Sequence, residues 1–130
     1  DQGKLDAAVK SAAINFIHEL PQGCETLLGE RGVRLSGGQQ QRIAIARALY
    51  HRPEVLIFDE ATNSLDSRTE REIQQTIYSL RGNHTIIIIA HRLSTVEDCD
   101  YLIWLEHGRI VSIGPVDSVL PRYSDKINGN

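Results

Sequence analysis

Two acidic residues, Asp59 and Glu60, follow four consecutive apolar ones, Val55, Leu56, Ile57 and Phe58. An unbroken apolar run of this kind reads as a strand buried on both faces, as in parallel sheets covered by helices. In open α/β sheets, ligands bind at the carboxyl ends of the strands. A carboxylate pair there suits a magnesium–phosphate site. Asp59 would hold the hard cation through oxygen or water, and Glu60, ionised near neutral pH, would orient and deprotonate an attacking water. Taken alone, the pair also reads as an acidic strand end facing solvent. A second apolar run, residues 85–90, stops at His91. That places an imidazole after the second strand as the carboxylates follow the first, or else a hydrogen-bonded histidine that only caps the strand.

Leu35-Ser36-Gly37-Gly38-Gln39 is the sharper pattern. Ser36 and Gln39 form an S-x-x-Q capping box at a helix start. The two glycines fall in the first turn, where each costs up to about 1 kcal/mol relative to alanine. Local helix stability does not explain them. Bare backbone amides at a helix N-terminus let a phosphate approach closely, so an anion-binding helix start is the better account.

These residues must be held by a small set of elements. Leu5, Ala8, Val9, Ala12, Ala13, Phe16, Ile17 and Leu20 recur at three- and four-residue steps, which predicts one amphipathic helix stopped by Pro21. Residues 22–35 hold three glycines and a Gly29-Glu30-Arg31-Gly32 turn, and read as a loop. A second helix is predicted over residues 39–50, with Pro53 ending the pattern. Between the two apolar strands, Ile73, Ile77 and Leu80 mark one face of a helix opened by a Ser67-Arg68-Thr69-Glu70 capping box. Strand, helix, strand is a βαβ unit. Residues 101–105 and 109–113 flank Glu106-His107-Gly108 as a hairpin whose glycine supplies positive φ. Only residues 125–130 read as a frayed tail.

Taken together, Leu35-Ser36-Gly37-Gly38-Gln39, the strand ending in Asp59-Glu60, Ser64-Leu65-Asp66 and Ala90-His91-Arg92 resemble the signature, Walker B, D-loop and H-loop motifs of ABC ATPases, in the family's order and at its usual spacing. Glu30-Arg31-Gly32 resembles the x-loop of exporter-type nucleotide-binding domains, which faces the transmembrane subunit. The resemblance implies roles. Ser36, Gly37 and Gly38 would meet the γ-phosphate of an ATP held mainly by the opposite subunit, and Gln39 would help fix that loop. Asp59 would serve Mg²⁺, Glu60 would be the catalytic base, and His91 would contact the γ-phosphate and the attacking water. Ser64, Leu65 and Asp66 would report nucleotide state across a head-to-tail dimer of nucleotide-binding domains. A transmembrane domain would hold the whole at the cytoplasmic face of the cell membrane.

The fold class expected is α/β: the C-terminal part of a RecA-like P-loop ATPase core, parallel strands plus a C-terminal hairpin, with part of the ABC helical subdomain. Residues 1–52 would be the helical portion with x-loop and signature, and residues 53–130 the distal half of the core. No G-x-x-x-x-G-K-[ST] phosphate loop is present, and the one Gly-Lys pair, Gly3-Lys4, precedes Leu5. Since that loop normally supplies most of the phosphate grip, hydrolysis by this chain alone should be negligible. Missing upstream strands would also leave apolar edges, so the piece should self-associate.

Composition narrows the classes further. A chain of 130 residues with 41% hydrophobic content can build a core, which excludes a disordered chain. Fourteen basic against 17 acidic residues, net −3, advertise neither nucleic acid nor an anionic membrane surface. Residues 86–90 fall far short of a bilayer span, and residues 1–4 show no secretory apolar stretch. Cys24 and Cys99 are read as reduced thiols, and His18, His51, His84 and His107 as surface residues. Two other readings compete: the C-terminal lobe of a chromosome-maintenance or DNA-repair ABC ATPase, and a non-catalytic module that retains the motifs. Residues 1–20 lack the sustained heptads or basic face of the first, and the intact Glu60 argues against the second.

Overall fold

A computed structural model describes residues 1–29, 32–62 and 64–129, and the chain packs as two units, Asp1–Ile89 and Ala90–Asn130. The first unit opens with α1, Gln2–Ser11, whose N-cap Asp1 accepts from the Lys4 amide at 3.2 Å. The expected continuous helix to Leu20 is not formed. Ala13 turns left-handed at φ 51°. The Ala13 amide donates to the Lys10 carbonyl at 3.0 Å and that of Ile14 to Val9 at 3.1 Å. That pair of bonds is a Schellman end with alanine where glycine is usual. The chain reverses into a 3₁₀ turn, Asn15–Glu19, while Ala12 and Ile14 stay buried. The apolar spacing runs on because both segments face the same core, which is why periodicity alone conceals the break.

Helix α2, Gly37–Tyr50, starts directly after Ser36, as the capping box implied and two residues before the 39–50 span, with both halves of the Ser36/Gln39 box formed. Strand β1, Val55–Asp59, is followed by helix α3, Ser67–Ser79, and strand β2, Thr85–Ile89, and the strands pair in parallel from Val55↔Thr85 to Asp59↔Ile89. The α3 N-cap is Asp66, not Ser67: its carboxylate accepts from the amides of Arg68 and Thr69, both at 3.1 Å. Glu70 is instead buried and takes the Thr62 hydroxyl at 3.4 Å. The core of this unit joins Ala8, Ala12, Ile45, Leu49, Leu56, Phe58 and the fully buried Ile73. Arg42 ties its three helices, donating to the Ala12 carbonyl at 3.3 Å and to Thr76 Oγ1 at 2.8 Å, with Glu72 at 3.8 Å.

Burial of the strands on both faces is not observed. Leu56 and Phe58 point into the core, whereas Ile57 is 64% exposed and Val55, Ile87 and Ile89 are about half exposed. The apolar run is two-sided, but the chain's helices cover one side. His84, expected at the surface, is half-buried with Nδ1 2.7 Å from the Pro53 carbonyl, which it reaches as an N–H donor.

In the second unit, β3, Tyr101–Glu106, and β4, Arg109–Pro115, form an antiparallel hairpin. His107 and Gly108 both have positive φ, 48° and 72°, the requirement of a two-residue type I′ turn. Helix α4, Val116–Ile127, was not foreseen, and residues 125–127, expected to fray, belong to it. Pro121 inside it reads in sequence as a breaker because it lacks an N–H. Packing outweighs that loss. Val119 is buried, Tyr123 meets the Trp104 ring edge-on at 5.2 Å, and Lys126 bonds Glu106.

Candidate functional site

At the start of α2 the side chains have already taken their partners. Gln39 Oε1 accepts from the Ser36 amide at 2.9 Å, Ser36 Oγ from the Gln39 amide at 3.3 Å, and the Ser36 carbonyl from the Gln40 amide at 2.9 Å. Gln40 Nε2 donates to the Leu35 carbonyl at 3.1 Å, so the turn before the helix is held from both sides. Gly37 and Gly38 carry the first two helical amides, which no intrahelical carbonyl can satisfy. With the positive end of the macrodipole behind them, they suit an anion.

The glycines also have a packing reason that sequence did not disclose. A Cβ on Gly38 would lie 2.4 Å from Thr69 Cγ2, and one on Gly37 would lie 2.9 Å from Leu65 Cδ2. Anion approach is therefore not the sole account of this pair. Thr69 is itself pinned, its Oγ1 donating to Asp66 Oδ2 at 2.6 Å. Nothing in the residue pattern pointed to Thr69.

Asp59 ends β1 exposed, at a position open to a cation and water. Mg²⁺ takes one or two carboxylates and keeps waters and phosphate oxygens, so an exposed carboxylate at a strand end fits it. Glu60 leaves the strand in the left-handed region at φ 50°, held by its amide on the Ile89 carbonyl at 3.0 Å. A non-glycine residue pays strain of order 1 kcal/mol or more in that conformation, which turns its side chain out of the strand's alternation. Strain of that kind clusters at working sites, and sequence carried no sign of it. His91 lies two residues beyond Ile89, exposed, in the second unit.

Leu65 packs on the core and Ser64 is exposed. The Asp66 carboxyl is held below its ordinary pKa, first by the Thr69 hydroxyl and then by the Thr69 amide. Of Gly29-Glu30-Arg31-Gly32, Glu30 and Arg31 lie outside the described residues. Gly32 donates its amide to the Gly29 carbonyl at 3.0 Å, and a Cβ on it would fall 2.0 Å from the Leu27 carbonyl oxygen. No helix among the described residues is long and apolar enough to cross a membrane.

A sequence profile described as ABC transporter matches residues 4–63. Among curated proteins, the heterocyst differentiation ATP-binding protein HepA of Nostoc sp. is 56% identical over 83% of this chain and 18% of its own length. An ATP-dependent lipid A-core flippase of Alkalilimnicola ehrlichii is 53% identical over 85% of the chain and 19% of its own length. An ATM1-type heavy metal exporter of Novosphingobium aromaticivorans is 51% identical over 87% and 19%. A bacterial Atm1-family ABC exporter solved with ATP bound superposes with a TM-score of 0.78 at 48% identity, over 95% of this chain and 22% of that one. The chain thus spans about a fifth of the length of these relatives. The likeness to two proteins described as exporters and to a flippase does not favour the DNA-repair reading.

Proposed function

We propose a function from one premise: the chain belongs to the ABC transporter family and carries part of an exporter-type ATP-binding region. In the full-length parent, two such domains close head to tail, and this chain works in both halves of the composite sites. To the partner's nucleotide it offers the α2 start: Ser36, Gly37 and Gly38 bind the terminal phosphate, while Gln39 holds the loop in shape through its bond to the Ser36 amide. To its own site it contributes Asp59, which would hold Mg²⁺ through water. Glu60 orients the attacking water and takes its proton, and His91 contacts the same water and the γ-phosphate. Bound ATP supplies the phosphoryl group, and Mg²⁺ the charge that neutralises it. Ser64, Leu65 and Asp66 sense nucleotide state across the dimer.

Glu30, Arg31 and Gly32 face a transmembrane domain, which holds the assembly at the cytoplasmic face of the membrane. Residues 1–52 form the helical portion and 53–130 the distal core, while the phosphate loop comes from elsewhere in the parent, so this chain alone has negligible turnover. The exposed apolar face of β1 and β2, with Ile57 64% exposed, leaves room for other segments of the parent to pack there.

The observation that carries the reading is the capped, glycine-led α2 start in the same unit as a parallel strand ending in Asp59 and a left-handed Glu60. In the parent, Glu60→Gln should retain ATP binding, lose turnover by about 10²–10⁴-fold and accumulate closed dimers. Near-normal turnover in that variant removes Glu60 from the base role.

A further inference from the structure

We infer that Thr69 is a positioning residue: its methyl group sets where the Gly38 amide stands, and so locks the start of α2 to the cap of α3 within one subunit. This rests on the proposed role of the α2 start in phosphate binding. The slot is narrow and stiff. A Cβ on Gly38 would meet Thr69 Cγ2 at 2.4 Å, a distance at which something must shift, and the next atom among the described residues outside its own helix is Thr69 Cβ at 3.9 Å. Threonine is branched at Cβ and has few χ1 choices in a helix. Here its hydroxyl is committed to Asp66 Oδ2 at 2.6 Å, so rotating the methyl away would break that bond. Asp66 in turn accepts from the Thr69 and Arg68 amides, which anchors the hydroxyl to the helix end. Leu65 Cδ2 reaches 2.9 Å from where a Gly37 Cβ would be, so the segment before α3 faces Gly37 as Thr69, in the first turn of α3, faces Gly38.

Two consequences follow from the packing. First, glycine at position 38 is required by α3, because its missing Cβ would point at Thr69. The helix amide does not depend on that Cβ. Second, displacing the Ser64-Leu65-Asp66 segment cannot leave the α2 start in place, since close-packed groups transmit displacement. A change sensed at Asp66 therefore moves the phosphate-facing amides of the same chain.

Four full-length proteins test this: the parent, Gly38→Ala, Thr69→Ser and the double variant. Serine keeps the hydroxyl for Asp66 and removes only the methyl. Gly38→Ala alone should lower the melting temperature and cut ATP turnover at least about tenfold, the equivalent of a single lost contact in the transition state. Thr69→Ser should melt near the parent yet raise the ATP KM a few-fold with kcat little changed, a split that loss of stability alone does not produce. In the double variant, both the melting temperature and turnover should recover most of the loss caused by Gly38→Ala. A double variant no better than Gly38→Ala in melting temperature overturns the interlock. Recovery of melting temperature with turnover still lost shows that phosphate approach, not Thr69, demands the glycine, and overturns the positioning role. A parent that lacks ATP turnover defeats the functional reading instead, while the melting temperatures still decide the interlock.

Discussion

At the residue scale, Asp66 shows how one side chain can serve two ends. It caps α3 through two amides and holds Thr69, which faces Gly38. These donors favour the ionised carboxyl and lower its folded pKa, chiefly through the Thr69 hydroxyl. The linkage has a definite sign. A depressed folded pKa contributes stability that is present above the ordinary value of 3.8 and lost as pH falls through the folded pKa. Asp66→Asn, which keeps an acceptor but no charge, should melt below the parent at pH 7. The gap should close as the pH is lowered past 3.8 in a thermal-melt series. A gap independent of pH would mean the charge contributes nothing to the cap. Glu60 makes a different point. Its type and place after an apolar run were legible in sequence, but its left-handed backbone was not, since its amide bonds the carbonyl of Ile89, a partner distant in sequence.

At the element scale, local chemistry was legible wherever partners lie within a few residues. The Ser36/Gln39 box formed as read, the two apolar runs formed strands though not ones buried on both faces, and the hairpin formed with a tighter His107-Gly108 turn, Glu106 joining β3. The ends of α1 and α3 did not follow the reading. A Schellman end on Ala13 lacks its usual glycine, and Asp66 outcompetes Ser67 because its carboxylate reaches two amides at once. Gly32 belongs to the same scale. Its Cβ would overlap the Leu27 carbonyl at 2.0 Å, beside the 3.0 Å bond from the Val33 amide to that oxygen. Gly32→Ala should therefore force the backbone apart and cost about 1–3 kcal/mol in denaturant unfolding of the parent, the usual scale of overpacking. An unchanged midpoint would show that the turn relaxes freely.

At the scale of the whole molecule, each unit leaves an apolar sheet face uncovered. Ile57 is 64% exposed in the first, and Tyr101, Ile103, Leu105 and Ile113 are between 57% and 69% exposed in the second. Among the described residues, β1 and β2 form a two-stranded sheet, with edges open to pairing. Contiguous faces of this kind mark interaction surfaces. The 130-residue chain expressed alone should self-associate, and Ile57→Lys with Ile103→Lys should shift sedimentation toward monomer. A monomer for the unsubstituted chain at high concentration would defeat this.

Sequence alone determined which chemical groups this protein presents, in what order, and on which strand ends and helix starts. Those depend on residue type, short spacing and capping, all of which act over a turn or two of chain. Only the tertiary structure decided which face of the strands is covered, that α4 persists through Pro121, and that a Cβ at Gly38 would meet Thr69. Each of these is set by contacts between elements distant in sequence, and close packing, unlike periodicity, leaves no mark on the order of residues.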